Sequence, residues 1–259
     1  MSPSDPARDR AHAAGYRLAC ADGASFGFGT FGDDDGGNDL LLGQPIVDLA
    51  TLPDGSGYWL VGADGAVLTF GEARFFGAAT SSSLEHPVVA IAPAPDQKGY
   101  WLAGSDGAIY PFGSAEDFGS ARSYPLDEPV VAMAAAPGGD GYLLVTADGN
   151  VFDFGDASYE GCLKNEALAA PAVAITTTPA GDGYWIACRD GAVRAFGNAP
   201  EVSDPADAKD VVAMSVTADG TGYWLACADG TVHAYGKAET LGDATGRARQ
   251  RPVVGISGR

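Results

Sequence analysis

The stretch GYWLVGADGAVLTFGEARFFG, Gly57 to Gly77, returns as GYWLAGSDGAIYPFGSAEDFG from Gly99 to Gly119. The dipeptide Gly-Tyr stands at 15, 57, 99, 141, 183 and 222, so the spacing is 42 four times and 39 once. A chain written this way builds one supersecondary unit repeatedly, because every copy carries the same apolar and turn positions. Each unit reads as an apolar run such as PVVAIA, a Gly/Asp/Pro turn, GYWL, an Asp-Gly turn, a second apolar run ending in Phe-Gly, and a variable stretch. Short apolar runs between turn signals are strands, and Asp-Gly joins two of them tightly because Gly accepts positive φ. Each unit therefore predicts three clear strands and a weaker fourth.

Four short strands every 40 to 45 residues or so is the pattern of propeller blades. The last residues, RPVVGISGR, read as a first strand with nothing after it, and GYRLACADGASFGFG near the start supplies the remainder. The predicted fold is all-β: a six-bladed β-propeller of four-stranded blades, closed by N- and C-terminal segments that share one blade, which leaves no open edge. Residues 13–259 form this single domain, and residues 1–12 are read as a flexible tail. The GYWLxxxDGxxxxFGxAxxxG repeat resembles the β-propeller repeats common in proteins of actinobacteria, and the resemblance covers nearly the whole chain. It implies the same fold. Members of that group are often secreted or joined to hydrolase or cell-wall domains, and no shared catalytic motif carries over to residues of this chain.

With a formal charge of −19 and no Lys/Arg cluster, the chain would repel phosphate backbones and anionic lipid surfaces, so neither nucleic acid nor membrane is an expected partner. No apolar run approaches the ~20 residues of a bilayer span. The opening MSPSDPARDRAHAAG lacks the apolar core of a secretory signal. A cytoplasmic monomer without a cofactor is expected, or a secreted one had a leader been removed.

Residues present in every repeat read as scaffold. Trp59, Trp101, Trp185 and Trp224 would pack between blades rather than stack on sugars, and Arg17 and Leu143 take the Trp position in the other two repeats. The Asp of each Asp-Gly turn is turn chemistry, since one carboxylate per turn is too few for calcium. Cys20, Cys188 and Cys227 recur at one blade position, on the order of 10 Å apart and beyond the ~7 Å reach of a disulfide. Cys162 lies in a variable connection near Lys164. The run Asp33 to Asp39, DDDGGND, reads as an acidic loop without the alternating spacing of a calcium site. No metal site is expected.

Function is sought where the repeat breaks. The first strands read PIVDLA, PVVAIA, PVVAMA, PAVAIT, DVVAMS and PVVGIS. Their fourth place holds Ala90, Ala132, Ala174, Ala213 and Gly255, and in one case Asp48. A carboxylate there must be hydrogen-bonded, solvated in the tunnel, or used. The variable connections concentrate seven of the fifteen Lys and Arg residues: Arg122, Lys164, Arg189, Lys209, Arg247, Arg249 and Arg251. His86 and Tyr124 lie there too. The expected ligand-binding set is Asp48, His86, Arg122, Tyr124, Lys164, Arg189, Arg247 and Arg249, with Asp48, His86 and Tyr124 as the weak catalytic candidates. The expected function is a noncatalytic binding propeller holding a small molecule or protein partner at the connection face and tunnel mouth. A small-molecule lyase, cyclase or lactone hydrolase at the same mouth, and a multivalent carbohydrate-binding lectin, are the alternatives.

Overall fold

The computed structural model describes residues 14–32, 40–80, 84–202 and 207–259. The expected tail 1–12 and the acidic run Asp33 to Asp39 lie outside them. The described chain is all-β apart from one 3-10 turn, Ala121–Ser123. Its strands are β1 (Gly15–Cys20), β2 (Ser25–Gly29), β3 (Ile46–Thr51), β4 (Gly57–Gly62), β5 (Val67–Gly71), β6 (Val88–Pro93), β7 (Gly99–Gly104), β8 (Ile109–Gly113) and β9 (Val130–Ala135). They continue as β10 (Gly141–Thr146), β11 (Val151–Gly155), β12 (Ala172–Thr177), β13 (Gly183–Cys188), β14 (Val193–Gly197), β15 (Val211–Val216), β16 (Gly222–Cys227), β17 (Val232–Gly236) and β18 (Val253–Gly258).

These strands form six three-stranded antiparallel sheets, an arrangement that fits a β-propeller. Five are continuous in sequence; the sixth takes the order β18-β1-β2, with Tyr16 opposite Gly258 and Leu18 opposite Ile256. The first strands of successive sheets lie side by side, β3 on β6, β6 on β9, β9 on β12, β12 on β15, β15 on β18 and β18 on β3.

Among the described residues each sheet stops at three strands, where the repeat predicts four. Side chains do the work of a fourth ladder. After Phe70-Gly71 the chain turns back, and the indole Nε1 of Trp59 donates to the Arg74 carbonyl at 2.8 Å. Trp101, Trp185 and Trp224 reach Glu116, Pro200 and Glu239 in the same way, at 2.6, 2.9 and 2.8 Å. The tyrosine of the following sheet closes the clamp: Tyr100 Oη donates to the Gly77 carbonyl at 2.5 Å and accepts from the Phe76 amide at 3.2 Å. Tyr142 does the same for Gly119 and Phe118. Backbone groups satisfied this way need no strand partner.

The glycine of each Gly-Tyr follows from that close approach. A Cβ on Gly57 would sit 2.4 Å from the Ala73 amide nitrogen, so a side chain there would push the returning segment off. The four tryptophans are at most 1% exposed. Truncating one to Ala would cost about 3–5 kcal/mol. Where Arg17, a residue 3% exposed, replaces Trp, its guanidinium donates to the Phe31 carbonyl at 3.1 Å and lies 4.3 Å over the Tyr58 ring. The arginine thus supplies both a donor and a flat cation in place of an indole.

Candidate functional site

Every first strand carries a β-bulge at the same place. In β3 the register jumps from Ile46 to Asp48, leaving Val47 without an opposite residue, and the jumps in β6, β9, β12, β15 and β18 leave Val89, Val131, Val173, Val212 and Val254. A bulge re-aims its residue out of the ladder. All six valines are half-buried and line one central cavity. From these valine methyl groups the lining runs along the six first strands to Pro53, Pro95, Pro137 and Pro179, which open the turns to the second strands.

The cavity measures about 580 Å³, within the range of small-molecule sites. Its wall is two-sided. Strands β6 and β9 contribute only apolar residues, among them Ala92, Pro93, Ala134 and Ala135. The other four strands add Thr176, Thr177, Ser215, Ser257 and Asp48. Most of these polar groups tie one sheet to the next. Ser257 Oγ accepts from the Thr51 amide at 3.1 Å, Ser215 Oγ accepts from the Gly258 amide at 3.0 Å, and Thr177 Oγ1 donates to the Ala135 carbonyl at 3.2 Å. First strands pair on one side only, so such side chains satisfy a sheet edge that would otherwise stay open.

Asp48 belongs to this set and adds a charge. Its Oδ2 accepts from the Ile91 amide of β6 at 2.9 Å, and its Oδ1 from the Leu49 amide at 2.8 Å. Burial pushes the carboxyl up to about 7, against the pull of those two amides. Among the described residues, the lining holds no Lys, Arg or His. Gly255 is the matching departure on the neighbouring strand: a Cβ there would lie 3.2 Å from Asp48 Oδ1 and 2.7 Å from Leu49 Cδ2. The one sheet with Gly at this place thus makes room for the one with Asp.

The remaining predicted residues do not join Asp48. Arg122 pairs with Glu85 and, at 3.2 Å, with Asp106; Lys164 pairs with Asp127 at 2.8 Å. The guanidinium of Arg249 donates to the Ala244 carbonyl at 2.5 Å and to the carbonyl of Asp229. Arg247 sits 4.9 Å over Phe28, in a second cavity of about 310 Å³ with Gly242 and Asp243. His86, Arg189 and Tyr124 are exposed, and Tyr124 rests 5.7 Å from Phe152. Arg122 and Lys164 are therefore spent on acids of a neighbouring connection or turn, and each exposed pair is worth at most about 1 kcal/mol. The hydroxyls of Ser215 and Ser257 escaped the sequence reading. They stand where other first strands hold Ala50, Ala92 and Ala134, the same kind of departure that marks Asp48.

Cys20, Cys188 and Cys227 are buried free thiols, and Cys162 is free and half-buried. Burial pushes the Cys20 and Cys188 thiols up to about 11. Among the described residues no three His, Cys, Asp or Glu side chains gather as for a metal ion, and no helix is long and apolar enough to cross a membrane. Neither a family model nor a curated protein matches the chain.

Proposed function

We propose that the chain is a ring-closed, six-bladed β-propeller and a noncatalytic binding protein, with the central cavity as the receptor for one small molecule. The ring is supported by the contacts that run through all six first strands and return from β18 to β3. One observation carries the function: an open-ended cavity of about 580 Å³ with an apolar wall facing a polar one, the layout in which a few placed polar groups orient a largely apolar ligand. This reading puts the ligand toward the end opposite the connection face, and it is supported by a lining that runs out toward the proline-headed turns. The buried tryptophans offer no ring face to a sugar, which weighs against the lectin alternative.

The test is a thermal-shift screen of small molecules on the chain and on its Ala135→Phe variant. The places equivalent to Ala135 hold Pro93, Thr177 and Val216, so a larger side chain is accommodated there and occupies the cavity. Ligands that stabilise the parent by 1:1 binding and lose their effect in the variant support the receptor. Ligands that act equally on both sink it.

A further inference from the structure

We infer that the central cavity takes a small organic cation, an ammonium group on an apolar body, with the ammonium against Asp48 and the body against the β6–β9 wall. This rests on the cavity being the ligand site and names the chemistry it selects. Three independent features converge on it.

The first is Asp48 itself. It lines the cavity, its two oxygens each accept one backbone amide, and each oxygen has a lone pair left for a further donor. Among the described residues no cation lines the cavity to balance its charge. A bound ammonium would supply both the donor and the missing charge through a charge-assisted hydrogen bond.

The second is the apolar wall. Strands β6 and β9 face the cavity without a single polar side chain, so the rest of the ligand gains by being apolar.

The third is the approach. At the proline-headed end the turns from first to second strands carry Asp54, Asp96, Asp140, Asp182 and Asp219 against Lys98, with Arg259 near Asp54 and Lys237 near Asp219. Local hydrogen bonds hold four of these acids below the usual carboxylate range. Ser56 does so for Asp54, the Lys98 amide and Ser114 for Asp96, Asn198 and Thr178 for Asp182, and Thr217 and Thr221 for Asp219. They stay ionised at neutral pH and beyond, so the field at this end attracts cations and repels anions.

The test uses three probes of one shape, benzylamine, benzyl alcohol and benzoate, titrated calorimetrically into the full chain at pH 8 and into Asp48→Asn. The amine should bind 1:1, at least about tenfold tighter than the alcohol, and benzoate should not bind. In Asp48→Asn the amine should lose that tenfold while the alcohol keeps its affinity. The amine should also weaken as pH falls below about 7, where Asp48, the one titratable group of the lining among the described residues, takes up its proton. If Asp48→Asn unfolds at a lower midpoint than the parent, Asp48→Ala replaces it, since Ala fills this place in four other sheets. Alcohol or benzoate binding as well as the amine, or amine affinity unchanged by both substitutions, overturns the cation and leaves the cavity as a receptor. Binding of none of the three overturns both.

Discussion

Replacing Asp48 with Asn should turn a pH-dependent cost into a constant. Its carboxyl is raised from 3.8 to about 7 in the folded chain, so folding favours its neutral form. The favourable difference is whole below the unfolded value, near pH 4, and is lost as pH rises through about 7. At 1.36 kcal/mol for each tenfold change in proton affinity, the full loss is up to about 4 kcal/mol, and water in the cavity lowers it toward roughly half. The chain's other acids titrate too, so the informative quantity is the difference between parent and variant. Urea unfolding of both at pH 4.5, 6, 7 and 8.5 should show Asp48→Asn gaining on the parent by about 2–4 kcal/mol between the lowest and highest pH, with most of the change complete by pH 8. A flat difference would mean that the fold leaves the Asp48 carboxyl unshifted, and a variant that falls behind as pH rises would mean that the fold stabilises its anion; either result would defeat the burial argument.

Two further outcomes follow from the same geometry. Gly255→Ala should cost about 1–3 kcal/mol because its methyl meets Leu49 and Asp48, and the Asp48 part of that cost should disappear in an Asp48→Ala background while the Leu49 part stays; equal costs in both backgrounds, measured by a double-mutant cycle of urea unfolding, would break the link between the two departures. A chromogenic disulfide reagent at pH 8 should label one thiol per native chain, Cys162, and four after denaturation; prompt labelling of Cys20 or Cys188 would contradict their burial.

Much of the fold was legible because it is written six times. The apolar runs and Asp-Gly turns located the eighteen strands of the described residues, and the stranded ends RPVVGISGR and GYRLACADG pointed to the shared sheet that pairs Tyr16 with Gly258. The fourth strand was the failure. The stretch after each Phe-Gly has the length for one, but its backbone is held by Trp59 and Tyr100 and their equivalents, and side-chain clamps leave no trace in an apolar-and-turn pattern. Asp48 was legible as a departure from Ala, whereas its bond to the Ile91 amide was not, since that depends on how one sheet meets the next. The rim cations misled for the same reason. Arg122 and Lys164 looked available in a list of connections, yet each has its acid 37 residues earlier, one connection back. That spacing was present in the sequence and marks staples between neighbouring connections.

The most direct measurement is a crystal structure of the chain soaked with benzylamine. The account predicts the amine in the central cavity, its nitrogen about 2.8 Å from an Asp48 carboxylate oxygen and its ring on the alanine wall of β6 and β9. Benzylamine seated on the rim acids Glu85 or Asp127, or beside Asp243 in the second cavity, with the central cavity holding only water, would contradict it.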